Sequence, residues 1–283
     1  MRWNKEMVEY LTQNYNNFSI DELAKMMGLT RKSIACKASR LGLTKKDNGN
    51  IRIFKDINTE ESAYWLGFIY ADGYIIKNIE NSEHGTSYEL GIELNSIDVE
   101  HLEKFNRVFN NYYKISFRER SMNTLDVLNK NEPSNRYNKT CLIRIYSKDI
   151  VNDLIKNDIV QNKTNSCIFP KVHDKQLFLH FLRGYIDGDG SYIIDNKNRI
   201  RITIEGNNKE CFNYIKNKLL TDFNISCSFY KDRECWKLQI SRKQEVLKLL
   251  DLLYRNANIY LDRKYEKVIN IKQAVFNRNV KDN

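Results

Sequence analysis

The sequence predicts an α+β chain. Two pseudo-symmetric αββαββα repeats form a saddle, and a small three-helix domain precedes them. Three observations predict it. A stretch is written twice, as "YWLGFIYADGYII" at Tyr64–Ile76 and "FLRGYIDGDGSYII" at Phe181–Ile194, each time an apolar helix running into Asp-Gly and then a strand. The same order of elements follows each copy. The 283 residues, 41% of them apolar, suffice for more than one compact unit.

The first domain spans 1–46. It reads as three short helices: about Lys5–Asn14, a second from Ser19 to Gly28, and a third from Thr30 to near Gly42. Ser19 with Glu22 three residues on is a capping box. Leu23, Ala24, Met27, Ile34, Ala38 and Leu41 give the buried stripe, and Arg31, Lys32, Lys37 and Arg40 fall on the other face of the third helix. A short helix, a Gly-containing turn and a basic second helix make a helix-turn-helix arrangement, whose second helix matches the width of a DNA major groove. The polar stretch over 47–57 reads as a linker.

Repeats occupy 58–170 and 171–283. In the first, "YELGIELNSIDVEHLEKFNRVF" is strand then helix, "KISFRER" and "CLIRIYS" are strands, and "KDIVNDLIKNDI" is a helix. In the second, "RIRITIEGNNKECFNYIKNKLL", "SCSFYKD", "CWKLQIS" and "KQEVLKLLDLLY" take the same places. The strands alternate. Ile200, Ile202 and Ile204 interleave with Arg199, Arg201, Thr203 and Glu205, and Trp236, Leu238 and Ile240 with Lys237 and Gln239. Ile115 and Phe117 interleave with Lys114 and Arg118, and Ile143 and Ile145 with Arg144. One face of each sheet is therefore apolar and carries helices. The other is polar and cationic, and with Lys77 it forms a surface suited to DNA.

Within each motif helix two small residues stand four apart, Gly67 with Ala71 and Gly184 with Gly188. Small residues at that spacing share one face and let two helix backbones approach closely. Packing through those faces would bring Asp72 and Asp189 together at two helix C-termini. Like charges there repel each other and the helix dipoles. A divalent cation resolves the conflict, and oxygen donors favour Mg²⁺. Carboxylates with Mg²⁺ beneath a basic saddle suit phosphodiester hydrolysis.

"WLGFIYADG" and "LRGYIDGDG" resemble the two signature helices of the LAGLIDADG homing endonucleases, and the resemblance covers roughly Thr59 to Phe276. It implies a Mg²⁺-dependent endonuclease making a double-strand break with short 3′ overhangs in a long duplex target, serving the mobility of an intron or a free-standing gene. Asp72 and Asp189 match the family's metal-binding acids, with Ala71 and Gly188 beside them as further metal-binding positions. "QNKTN" and "LDRKYE" supply Lys163 and Lys264 as the lysines that assist at the scissile phosphates. The first motif departs from the family pattern at Tyr70, where the second has Asp187. Two rival readings share the fold: an intron maturase, with intron RNA as partner, and a non-catalytic DNA-binding regulator.

Lys plus Arg number 46 against 36 acids, for a net charge of +10, which suits a polyanion. The six cysteines include no C-x-x-C pair and form no zinc pattern with the four histidines. The "MRWNKEMVEY" start has no apolar signal core and no run is long enough to span a membrane, so the expected location is the cytoplasm of a bacterial or phage-infected cell. Both half-sites lie in one chain, so the expected state is a monomer.

Overall fold

The computed structural model describes residues 3–15, 18, 20–43, 49–78, 87–120, 138–162, 168–196, 199–233 and 235–281. The chain forms two compact units, residues 1–50 and 51–283.

The first unit has helices α1 (Lys5–Asn14), α2 (Ile20–Met26) and α3 (Arg31–Arg40). Asn4 caps α1 by accepting a hydrogen bond from the Met7 amide at 2.8 Å, and Thr30 caps α3 through the Ser33 amide at 3.2 Å. Gly28 and Gly42 follow α2 and α3 at φ +62° and +64°, the left-handed turn that glycine adopts without strain. Leu11, Tyr15, Leu23, Ala24, Ile34 and Ala38 form the core. Leu41, expected in the buried stripe, is exposed because it lies beyond the last turn of α3. Ser19, expected to cap α2, lies outside the described residues.

The second unit contains both repeats. The first runs α4 (Glu60–Asp72), β1 (Gly73–Asn78), β2 (Ser87–Asn95), α5 (Val99–Arg107), β3 (Ile115–Arg120), β4 (Asn138–Ile145) and α6 (Lys148–Lys156). The second runs α7 (Lys175–Asp189), β5 (Gly190–Ile194), β6 (Ile200–Gly206), α8 (Lys209–Phe223), β7 (Ser228–Asp232), β8 (Cys235–Ile240), α9 (Lys243–Tyr254) and α10 (Asp262–Lys281). Each makes an antiparallel four-stranded sheet, ordered β1-β2-β4-β3 and β5-β6-β8-β7. The expected element order therefore holds in both halves, with α10 added at the end of the second. The linker needs correction at its end: Ile53 and Phe54 are buried in the core of the second unit, because apolar side chains this large gain more by burial than a solvated tether would allow.

Register sets the sheet faces. Ile202 stands opposite Ile240 and Tyr192, and Ile204 opposite Leu238 and Gly190, all on the helix side. Glu205 opposite Lys237, and Thr203 opposite Gln239, lie on the other side. In the first sheet Ile92 pairs with Ile143 and Gly73 on the core face, while Gly91 pairs with Arg144 and Tyr74 on the polar face. Phe117 departs from expectation. It points to the core side opposite Cys141, yet is 64% exposed, because edge strand β3 extends past the covering helices.

The two motif helices, α4 and α7, make the most extensive contact between any two elements among the described residues. Glycine permits it. A Cβ at Gly67 would overlap the Phe181 carbonyl oxygen and lie 3.0 Å from the Tyr185 nitrogen. A Cβ at Gly184 would overlap the Tyr64 carbonyl oxygen and lie 2.9 Å from the Phe68 nitrogen. The obstruction is backbone in both cases and cannot swing aside. We expect Gly67→Ala and Gly184→Ala each to cost about 1–3 kcal/mol or more as the helices are forced apart. Gly206→Ala, whose nearest neighbour would stand at 3.3 Å, should cost less. Urea unfolding of the three variants checks the order, and equal costs would contradict it.

Candidate active site

Asp72 and Asp189 are the last residues of α4 and α7, and both are exposed. The glycine contact brings the two helix ends together. A Cβ at Gly188 would overlap that of Ala71 and lie 3.2 Å from Asp72 Oδ2, so the first carboxylate rests against the residue preceding the second. Asp189 lines a cavity of about 300 Å³ with Tyr70, Ala71, Tyr185, Glu205 and Asn208. Gly73 and Gly190 follow the aspartates for a reason other than a left-handed turn. Their φ values are −83° and −91°, but a Cβ would lie 2.9 Å and 2.8 Å from the carbonyl oxygens of Ile69 and Ile186. Only glycine lets the chain leave the helix so tightly into the strand.

Lys264, in the first turn of α10, is buried against this helix end. Its ammonium donates to the carbonyls of Ile186 at 2.7 Å, Gly188 at 3.0 Å and Gly190 at 2.7 Å. Burial pushes its pKa down to about 8, against the opposing pull of Asp187, Asp72 and Asp189. The cation thus adds a donor to carbonyls at a helix C-terminus, one of which, Ile186, also accepts from the Gly190 amide. Lys163, its expected counterpart, lies outside the described residues.

A buried polar network lies behind. Asp187, wholly buried, accepts from the Tyr64 hydroxyl at 2.8 Å, the Tyr254 hydroxyl at 3.2 Å and the Leu261 amide at 2.8 Å. Arg183 donates to Glu60 at 2.6 Å and to the carbonyls of Leu253 and Ile259. Glu60 also accepts from the Asn258 amide at 2.8 Å. From the first repeat, Lys104 reaches Asp262, and Asp98 receives Arg263. The segment 258–264 is therefore held by both repeats.

The polar sheet faces carry the expected basic residues, but several are paired internally. Lys237 lies between Glu205 at 3.1 Å and Asp232 at 2.8 Å, which hold its pKa above the ordinary lysine value. Arg144 faces Glu89 at 3.3 Å and Arg199 binds Asp195 at 2.7 Å. Lys114 is exposed and Arg118 half-buried. Lys77 departs from expectation: by register it shares the core side with Gly73 and Ile75, over the Tyr88 ring, because alternation along β1 puts Tyr74 and Ile76 on the polar face instead. Arg199, Arg201 and Gln239 line a cavity of about 480 Å³ with Ser241 and Lys243. The faces are mostly polar, with Ile76, Leu142 and Ile193 among them by register, and their acids temper the positive charge that alternation alone suggests.

Two residues escaped the sequence reading. Glu93 and Glu205 each follow the isoleucine that pairs with the glycine after a motif aspartate. Glu205 shares the Asp189 cavity, and Glu93 accepts from Thr140 at 2.7 Å. Aligning "GIELN" with "ITIEG" within the repeat would have found them.

In the first unit, Lys32, Lys37 and Arg40 line a cavity of about 360 Å³ with Trp3, Thr30, Ser33 and Cys36. Lys37 stands over the Trp3 ring. Arg31 is tied instead to Asp21 at 2.6 Å.

Among the described residues, no three or more His, Cys, Asp or Glu side chains are grouped to hold a metal. The oxygen donors at the site are the carboxylates of Asp72 and Asp189 with nearby main-chain carbonyls, a hard set that fits Mg²⁺. No helix among the described residues is long and apolar enough to cross a membrane.

A family model described as a LAGLIDADG-like domain matches residues 178–254, which include the second motif and its sheet. Residues 178–254 carry a LAGLIDADG-like domain. Solved structures agree over a longer span. The homing endonuclease I-WcaI bound to its DNA recognition sequence is 17% identical, with a TM-score of 0.53 over 81% of this chain and 96% of that one. Meganuclease I-SmaMI bound to uncleaveable DNA is 13% identical, with a TM-score of 0.53 over 78% and 90%. LAGLIDADG meganuclease I-AabMI bound to uncleaved DNA is 14% identical, with a TM-score of 0.52 over 77% and 91%. The likeness is one of fold. A search of curated proteins by sequence found no match.

The core of the second unit also buries an ionisable ring. His101 lies among Trp65, Phe68 and Tyr64, with Nε2 3.1 Å from the Tyr64 oxygen. The single Tyr64 hydroxyl proton goes to Asp187, so His101 Nε2 is the donor. Burial, reinforced by the charges of Lys104, Arg263 and Lys264, lowers its pKa to about 3. The unfolded chain takes up this proton near pH 6.5 while the folded chain resists it. The stability due to neutral His101 is thus complete above pH 6.5 and is lost as pH falls toward 3. Between pH 7 and 5 this group should remove about 2 kcal/mol. Urea unfolding at both pH values checks this, with His101→Phe expected to flatten the dependence and an unaltered slope in that variant speaking against it.

Proposed function

We propose that the protein is a site-specific endonuclease that makes a double-strand break in a long duplex DNA target. One observation carries the reading: two exposed carboxylates, one from each repeat, are brought to a common place by a glycine contact, between two sheets with polar outer faces. A structural protein gains nothing by placing two anions at two helix C-termini. Asp72 and Asp189, with the Ala71 carbonyl, would hold Mg²⁺, which when bound supplies a polarised phosphoryl oxygen and an activated water, while the Gly188 carbonyl is taken by the Lys264 ammonium. Each aspartate serves mainly one strand. The sheet faces, through Lys114, Arg118, Arg144, Arg201 and Gln239, orient the duplex along the major groove. Lys264 fixes the helix end that carries Asp189.

The first unit adds affinity at one flank as a helix-turn-helix, presenting Lys32, Lys37 and Arg40 to the groove. Having both half-sites in one chain suits a monomer. The reading extends to the mobility of an intron or a free-standing gene within the cytoplasm.

The test uses a duplex of the rejoined sequence that flanks the gene. Wild type should cut both strands with Mg²⁺ and not with EDTA. Asp72→Asn and Asp189→Asn should lose double-strand cleavage while keeping DNA affinity within about twofold, since neither acid contributes attraction to phosphate. Removing residues 1–46 should shorten the protected footprint at one flank without moving the cuts. Cleavage that survives in the double variant would overturn the reading. Tight binding without any cut would favour a regulator, and selective binding of intron RNA would favour a maturase.

A further inference from the structure

We infer that Asp187 is a positioning residue for the second aspartate, acting through Leu261 and Lys264, and that it governs one of the two strand cuts; this rests on the endonuclease reading.

The chain of contacts is continuous. Asp187 Oδ2 accepts from the Leu261 amide at 2.8 Å. Leu261 stands just before α10, and its carbonyl accepts from the amides of Lys264 and Tyr265 at 3.0 Å each. The Asp187 carboxylate thus fixes the point where α10 begins. Three residues into α10's approach, Lys264 spends its ammonium on the carbonyls of Ile186, Gly188 and Gly190, which enclose Asp189 on both sides. The two anchors work on one short segment: the helix holds the loop through Asp187, and the loop holds the helix end through Lys264. Asp187 does not reach the reacting atoms, because it is wholly buried and its oxygens are taken up by Tyr64, Tyr254 and Leu261.

The first motif is built otherwise. Tyr70 stands where Asp187 does in the repeat. Its ring packs edge-on against Phe169 and Tyr185 at 5.0 and 5.2 Å, and its hydroxyl accepts from Asn208 at 3.2 Å. No carboxylate can tie a helix start at that position. Among the described residues the pseudo-twofold pair of aspartates is therefore supported asymmetrically, and removing Asp187 should be felt at one of them.

The experiment follows the cutting of each strand of the same duplex, end-labelled separately, by wild type, Asp187→Ala and Asp187→Asn. Asp187→Ala removes the acceptor for Leu261 and should slow the strand served by Asp189 about 10-fold or more, leaving nicked duplex to accumulate. Asp187→Asn keeps one oxygen that can face Tyr64 and Leu261, with its amide turned to Tyr254, and should restore most of the rate. DNA affinity should change in neither. Amide exchange by mass spectrometry gives a readout that needs no cleavage and works even for a weakened fold. In Asp187→Ala the peptide spanning 255–264 should lose protection, and the one spanning 60–72 should not. Equal slowing of both strands, or unchanged protection at 255–264, would overturn the inference. If wild type cuts neither strand, the endonuclease reading falls, and the positioning role stands or falls on the exchange result alone.

Discussion

Everything in the second unit depends on one contact, the backbone-to-backbone approach of α4 and α7 through Gly67 and Gly184. Protein interiors are dense, so a helix pair this close leaves no room for a methyl group, and the constraint runs to both helix ends. At the C-terminal end it sets Asp72 against Gly188. Along the pair it buries aromatic residues from both repeats in one core, so that Tyr64 of the first meets Asp187 and Arg183 of the second. The sheets then have no freedom to choose their relation, because β1 and β5 leave the same two helix ends through Gly73 and Gly190.

A second layer of polar contacts makes the union unequal. Glu60 and Asp187 grip the segment 258–264 from the two motif helices, and Asp98, just before α5, and Lys104, within it, grip it from the first repeat. Such buried charges cost desolvation and are retained only where hydrogen bonds are nearly complete. Here they are spent on a single short segment, the one that delivers Lys264. Among the described residues, sequence-level symmetry between the repeats thus conceals a structural difference at the site: the second aspartate is braced by a buried network, and the first is flanked by Tyr70 in an aromatic cluster.

Most of the fold was legible in the sequence because it is written in periodicity and repetition. Alternating Ile200, Ile202 and Ile204 could face a core only as a strand, and small residues four apart could face another helix only across a tight interface. Leu41 and Phe117 were misplaced because alternation and helical spacing assign a face, not the length of the element that covers it. Ile53 and Phe54 were assigned to a linker because polar neighbours outvoted two apolar side chains. The paired acids of the polar sheet faces went unweighted because Glu205 with Lys237 and Glu89 with Arg144 meet only across strands, through a register that composition does not reveal. Asp187 was visible as a letter, but its bonds to Tyr64, Tyr254 and Leu261 join positions far apart in the chain.

The central claim is that the glycine contact makes one cooperative body of two repeats. The chain has three tryptophans, and two of them report the two halves: Trp65 is buried in α4, and Trp236 packs on Phe229 in β8. Fluorine resonances of a 5-fluorotryptophan-labelled protein, followed through a urea titration, measure both at once without a substitution. The account predicts that the native signals of Trp65 and Trp236 disappear with one midpoint and one slope, as two-state unfolding requires. Separate transitions, with either repeat surviving the loss of the other, would contradict it.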